Sequence, residues 1–306
     1  MPASWTSSPS SPTASSSEAG SPRAGQLCAA ARWVAERCPS ELGREIALTG
    51  SVGAGLADEH SDVELLFLVD SVPSPERVRG WLESLGARDL LAGPDSSGVW
   101  AWCRLGDVEL DPFFGLVAEA EAEVEAIIGG EAIGHERLAF AHVLTHSLVL
   151  RTTGVLGALV ERLRVYPEHL QHRLIDEAVR GCEIPAAHLG TAVRDDRLAV
   201  EGTLLRHAER VLRIVFALNR RWEPPRWKWS SHYAEALDLA PPRLSERIRA
   251  ALLEPDSLAA VRAMLELLRD TLELVPASID VRAARRGIEA RLAAVTVRHQ
   301  STPAEA

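Results

Sequence analysis

Two short apolar runs, separated by a glycine-serine turn and ten further residues, constrain this chain more than any other feature. The first run, Ile46-Ala47-Leu48-Thr49, is broken by Gly50-Ser51, and the second starts at Asp62-Val63-Glu64-Leu65 and stays apolar to Val69. Both read as strands. Successive strand side chains point to opposite faces, so Asp62 and Glu64 share one face while Val63 and Leu65 turn into a core. Neighbouring carboxylates repel each other and lose hydration, and folding alone gives little reason to put them together. A divalent cation does, because hard oxygen ligands suit magnesium.

Further acids lie downstream. Val99 to Leu105 alternates bulky and small residues, Gly106-Asp107 reads as a tight hairpin turn, and Val108 to Phe114 reads as the returning strand. Glu109 and Asp111 are two apart and share one side of that strand. Glu109 sits between Val108 and Leu110 in mid-strand. Asp111 precedes Pro112, which ends ladder pairing or marks an edge.

This pattern resembles the nucleotidyltransferase superfamily typified by DNA polymerase beta. Its signature is an apolar residue, Gly, Gly or Ser, a spacer like the one here, then Asp-x-Asp or Asp-x-Glu between apolar neighbours. Thr49 departs from it, standing where an apolar residue is usual. The resemblance implies that Asp62 and Glu64 hold magnesium, as two ions, with a third carboxylate as metal ligand and general base. Glu109 matches that third position more closely, and Asp111 matches a related pattern. Gly50 and Ser51 are expected to let a triphosphate approach backbone donors. The implied reaction moves a nucleoside monophosphate, AMP from ATP as co-substrate, onto a hydroxyl of a small-molecule acceptor such as an aminoglycoside-like compound.

A second dense region runs from Arg206 to Tyr233. Arg206, Arg210 and Arg213 recur at spacings of four and three and share a helix face. Pro224-Pro225 ends that helix, and Arg226-Trp227-Lys228-Trp229 follows. Arginine offers bidentate contacts to phosphate, and lysine offers a point charge. The region resembles the helical domain of aminoglycoside adenylyltransferases, which implies that Arg213 and Lys228 contact the nucleotide phosphates. Arg226 could take the place of Lys228, the one lysine among 33 basic residues. The phrases Val149-Leu150-Arg151-Thr152-Thr153-Gly154 and Ala217-Leu218-Asn219-Arg220-Arg221-Trp222 also resemble a larger bacterial group of uncharacterised nucleotidyltransferases. The closing of the helical domain over the nucleotide, with the acceptor in the cleft, is part of the same expectation.

The 306 residues suit two domains, and 46% hydrophobic with 25% charged suits ordinary cores. The fold class expected is α+β. A nucleotidyltransferase domain of small mixed sheet with helices on one side would cover 25–132, and an all-α bundle 133–297. A Ser/Pro-rich disordered tail is expected over 1–24 and a second tail over 298–306. Within this scheme Gln26 to Cys38 reads as a helix, Val52 to Ala57 as a short one, and Pro75 to Gly86 as another. Gly93-Pro94-Asp95 reads as a turn. From Gly134 onward the periodicity is helical, for example over Leu138–Leu150, Val155–Leu163, Leu204–Asn219, Leu244–Leu253 and Leu258–Leu274, with no strand signal.

A net charge of −10 and the lack of a long basic run argue against a duplex nucleic acid partner. Cys28, Cys38, Cys103 and Cys182 have no zinc or redox spacing, which suits a cytoplasmic protein with reduced thiols. No apolar run approaches a membrane span. His142 and His146, one helical turn apart, form an incomplete metal pair, and Arg137-x4-His142 matches a short HEPN-ribonuclease motif in a chain rich in both residue types. Two other readings stand beside the small-molecule transferase. One is a protein adenylyltransferase of toxin–antitoxin type, and the other is a non-catalytic nucleotide-binding module. The sequence leaves the acceptor, the base preference and the oligomeric state open.

Overall fold

The computed structural model describes residues 22–131, 133–182 and 186–301. The expected N-terminal tail lies outside the described residues as far as residue 21, and residues 302–306 of the C-terminal one do too. Residues 22–24 already belong to the first helix, and 298–301 to the last. The fold class is α+β, as the sequence implied. The described residues form two compact units, one reaching to Leu116 and including Ser147–Thr153, the other made of Val117–His146 and everything from Gly154.

The first unit is a six-stranded sheet with two helices on one face. Its elements are α1 (Pro22–Arg37), β1 (Glu45–Leu48), α2 (Gly50–Gly53), β2 (Val63–Val69), α3 (Pro75–Ser84), β3 (Arg88–Asp95), β4 (Gly98–Leu105), β5 (Val108–Leu116) and β6 (Leu148–Arg151). The order is β3-β4-β5-β2-β1-β6, with β2 and β5 parallel and the other neighbours antiparallel. Alternation sends Val63, Leu65 and Phe67 of β2, and Val108, Leu110 and Phe114 of β5, into one core with Leu27, Ala31 and Val34 of α1 and Val78, Trp81 and Leu82 of α3. The Phe67 and Phe114 rings stack at 4.6 Å, and the Trp81 ring meets both edge-on. Helix α3 begins where the sequence marks it. Ser74 accepts a hydrogen bond from the Arg77 N–H, and Pro75 fills the first helical position.

Three sequence expectations are corrected here. Gly93-Pro94-Asp95 forms the end of edge strand β3, and the turn falls on Ser96-Ser97, whose N–H and hydroxyl groups bond the Asp95 carboxylate. Helix α2 is earlier and shorter than Val52–Ala57. The helical reading of Leu138–Leu150 splits into a helix ending at Thr145 and strand β6.

Strand β6 is anchored by polar contacts that explain the phrase Arg151-Thr152-Thr153. Arg151 donates to the carbonyls of Ala35, Cys38 and Gly43 at 2.6, 2.9 and 3.0 Å, tying the strand to the end of α1 and to the loop that follows it. The fully buried Glu45 carboxylate accepts from the Thr152 hydroxyl and from the N–H and hydroxyl of Thr153 at 2.5–2.8 Å. A buried charge needs such a shell.

The second unit is helical. It comprises α4 (Val117–Ile128), α5 (His135–Thr145), α6 (Val155–Leu163), α7 (Glu168–Gly181), α8 (Ala186–Val193), α9 (Arg197–Leu218), a 3-10 turn at Pro225–Trp227, α10 (Ser230–Glu235), α11 (Leu244–Leu253), α12 (Ser257–Glu273) and α13 (Arg282–Ser301). Helix α9 is its spine, packing on α7, α8, α11 and α12. Val200, Leu204, Val211 and Val215 recur at the spacing that keeps one stripe buried.

The phrase ending in Trp222 is structural. Asn219 donates to the Val215 and Leu239 carbonyls and accepts from the Leu239 N–H, bracing the helix end. The Trp222 indole donates to the Leu163 carbonyl at 2.9 Å. Among the described residues no helix is long and apolar enough to cross a membrane.

Candidate functional site

In the first unit the sequence brings its acids to the sheet face opposite the core under α1 and α3. Strand β1 ends at Leu48, and the next residue, Thr49, is buried. The Thr49 N–H donates to the Glu64 carbonyl at 2.9 Å, and its hydroxyl leans on the same oxygen at 3.3 Å. This gives the threonine a place where the superfamily pattern has an apolar residue. Gly50 follows with φ +61°, a region that glycine enters without steric cost.

The Gly50 α-carbon lies against the Glu64 carboxylate. A Cβ built there would stand 2.6 Å from Glu64 Cδ and 2.7 and 2.9 Å from its oxygens. Ordinary carbon contacts lie at about 3.5–4.0 Å. Gly50 is therefore required twice, for its backbone angle and for the room it leaves Glu64.

Ser51 opens the single turn of α2. Its hydroxyl donates to Ser61 Oγ at 2.9 Å, and Ser61 in turn donates to the Asp58 carboxylate at 3.0 Å. That chain ties the loop between α2 and β2 back to the turn. The Ser61 hydroxyl and the His60 N–H hold the exposed Asp58 carboxyl below its ordinary range.

The ladder places the acids. Glu64 on β2 is level with Asp111 on the parallel strand β5, and Val63 is level with Leu110. Adjacent strands lie about 4.8 Å apart, so the backbones of Glu64 and Asp111 are immediate neighbours. Asp62 precedes the first paired residue of β2 and falls on the same side as Glu64 by alternation. Glu109 lies across from Arg104 on β4, and its carboxylate forms an ion pair with Arg104 at 2.5 Å. Of the two candidates for a third carboxylate, Asp111 is thus beside Glu64, and Glu109 is engaged by a cation. Among the described residues no three His, Cys, Asp or Glu side chains converge as a metal-holding group.

The second unit holds the basic residues. Arg206, Arg210 and Arg213 do share a face of α9, where they line a cavity of 440 Å³ with His135, Glu177, Gly181, Glu209 and Trp227. Arg213 is not a free cation. Its Nε and Nη2 donate to the two oxygens of Glu223 at 2.8 and 3.1 Å, and the Glu223 carboxylate is 3% exposed. His135 Nδ1 shares that carboxylate at 2.8 Å.

Sequence reasoning missed Glu223 and His135. The one signal available was an acid wedged between Trp222 and Pro224. Lys228 is exposed and follows a backbone in which Arg226 and Trp227 adopt φ of 49° and 56°.

His142 and His146 stack at 4.0 Å, with Tyr233 edge-on to both rings. Each Nδ1 donates to a backbone carbonyl, that of Trp222 for His142 and that of His142 for His146. Burial pushes His142 down to about 3, and burial also lowers His146. Both rings are neutral packing groups. Arg137 pairs with Glu123 at 3.3 Å, away from the ribonuclease reading. All four cysteines are free, and burial pushes the Cys103 thiol up to about 11 and Cys182 to about 12, so neither is a ready nucleophile.

Residues 134–230 match the family described as a domain of unknown function (DUF4037). No curated protein matches the chain. One solved structure, a nucleotidyltransferase-like protein from Exiguobacterium sibiricum 255-15, aligns with 88% of this chain and 74% of its own at 13% identity and a TM-score of 0.32. A likeness that distant carries no weight for function.

Proposed function

We propose that the acid-bearing face of the first unit is the centre of a magnesium-dependent nucleotidyltransferase, moving AMP from ATP to a hydroxyl of a small acceptor. The observation that carries this reading is the contact of Gly50 with the Glu64 carboxylate, with Asp111 level with Glu64 on the next strand. A fold needs neither a left-handed glycine pressed on a carboxylate nor two acids abreast. A site that must present carboxylate oxygens beside an open backbone turn needs both.

The donor set fits magnesium in its chemistry, being hard carboxylate oxygen throughout. Glu64 and Asp111, level on adjacent strands, would hold the metal, with Asp62 having to turn in to join them, and the bound ion would supply positive charge against the phosphates. The bare Gly50 and the Ser51 turn would take the triphosphate against backbone N–H groups. In the transfer, the acceptor oxygen forms a bond to the α-phosphorus, pyrophosphate leaves with the broken P–O bond, and the hydroxyl proton passes to a carboxylate. We assign that proton to Asp111, because the strand register sets it level with Glu64. No phosphate contact is assigned to Arg213, whose charge Glu223 already neutralises.

The test is calorimetry of ATP binding with and without magnesium, on the parent and on an Asp62→Asn/Glu64→Gln double variant. The proposal expects metal-dependent binding by the parent and none by the variant, followed by transfer of labelled AMP in an acceptor screen. Equal binding by parent and variant would sink it.

A further inference from the structure

We propose that the cavity in the helical unit binds a zwitterionic small molecule of amino-acid type, its carboxylate against Arg210 and its ammonium group toward Glu177 and Glu209, with the His135 Nε2 lone pair open to a ligand N–H. This goes beyond the nucleotidyltransferase reading and does not rest on it.

The cavity is the right size, since small-molecule sites run about 300–1,000 Å³ and this one measures 440 Å³. Helix α7 supplies Glu177, Ala178 and Gly181. Helix α9 supplies Arg206, Glu209, Arg210 and Arg213, and His135 and Trp227 complete the lining.

The charges are sorted by depth. Arg213 cancels against the buried Glu223. Among the described residues Arg206, Arg210, Glu177 and Glu209 make no ion pair, which leaves two cations and two anions to the cavity. Arg210 is half-buried, and Arg206, Glu177 and Glu209 are exposed. The interior therefore carries one uncompensated cation, and the rim carries two acids against one arginine. A triphosphate would bring several negative charges past two carboxylates to a single net cation. A polycation would meet Arg210. A molecule with one anionic and one cationic end matches both regions, and such electrostatic complementarity is what gives a site its specificity.

The interior is also short of a partner. His135 Nδ1 is fixed on Glu223, while His135 Nε2 is buried and has no hydrogen-bond partner. Buried polar atoms are nearly always satisfied, and one left open costs free energy until something bonds it. Arg210 rests against the Gly181 backbone so closely that a Cβ there would stand 2.5 Å from its Nε, and it hydrogen-bonds the His207 Nδ1 ring nitrogen at 3.3 Å. The Trp227 ring stacks on His135 at 4.6 Å and adds an aromatic wall.

The experiment uses the full chain with neither magnesium nor nucleotide. The twenty protein L-amino acids are tested one at a time at millimolar concentration by ligand-observed NMR and thermal shift. The proposal expects at least one to bind. Its analogues lacking the amino or the carboxyl group should bind at least about tenfold more weakly. Arg210→Gln and Glu209→Gln should each weaken binding by a similar factor. Glu209 is exposed, so its variant reads out even if Arg210→Gln does not fold. Three results would overturn the proposal: no amino acid binds; a single-charge analogue binds as well as the zwitterion; or inorganic phosphate or ATP binds instead in a manner that Arg210→Gln abolishes.

Discussion

Replacing Gly50 by alanine tests the link between the turn and the acids, and Gly55→Ala is its internal control. Both glycines have left-handed backbones, φ +61° and +74°. An L-residue in that region costs roughly 1–2 kcal/mol. Around Gly55 an added Cβ meets nothing within 4 Å, so that variant measures backbone strain alone. At Gly50 the same Cβ would stand 2.6 Å from Glu64 Cδ, about 1 Å inside an ordinary carbon contact. The carboxylate must therefore move by about that much, and a displacement of about 1 Å at a reacting centre can cost roughly a hundredfold in rate. Thermal melts should show Gly55→Ala losing about 2–4 °C per kcal/mol, with Gly50→Ala losing somewhat more. Magnesium-dependent ATP binding, read by calorimetry, should survive in Gly55→Ala and weaken at least about tenfold in Gly50→Ala. If the two variants bind magnesium and ATP alike, the Glu64 carboxylate is not a ligand and the role given to the turn is wrong.

Other outcomes follow from the same geometry. Asp111→Asn should lower AMP transfer by roughly 10²–10⁴, the range of general-base catalysis, while Glu109→Gln should leave it within about tenfold; initial rates with labelled ATP decide between them. His142 is held down to about 3 in the folded chain by burial, against 6.5 ordinarily, so the unfolded chain binds the extra proton. Its contribution to stability is therefore fully present above pH 6.5 and is lost as pH falls toward 3. Urea denaturation should find about 2 kcal/mol less stability at pH 5 than at neutral pH from this group, His146 adding in the same direction, and an NMR titration should show no His142 transition near pH 6.5. Glu223→Gln leaves Arg213 and His135 without their shared carboxylate. It should destabilise the helical unit by roughly 3–5 kcal/mol in chemical denaturation, the usual effect of breaking a buried pair, and a variant as stable as the parent would show that the triad is not structural.

Much of the first unit was legible because its signals are local. The alternation in β2, β4 and β5 follows from side-chain period, and the hairpin turn at Gly106-Asp107 and the cap at Ser74-Pro75 are written in adjacent residues. Strand β6 was not legible. Its four residues follow a helix and carry no alternation, and they become a strand because Glu45 and Arg151 satisfy partners roughly a hundred residues away in sequence. Gly93-Pro94-Asp95 carries turn residues yet ends an edge strand, where proline costs no ladder bond.

The sequence by itself determined that Asp62 and Glu64 share one face of the strand that follows the Gly50-Ser51 turn, because side-chain period fixes which side chains share a face. It favoured Glu109 over Asp111 by resemblance alone, since both lie on one side of one strand and side-chain period does not separate them. Only the parallel register of β5 against β2 sets Asp111 beside Glu64, and only the antiparallel register of β4 gives Glu109 to Arg104. The helical spacing of Arg206, Arg210 and Arg213 likewise fixed a common face. Which of those charges a ligand can still meet was decided by tertiary structure, through a buried carboxylate ten residues beyond Arg213. Face is set by local periodicity, whereas a charge is spent or kept according to which distant group folding brings against it.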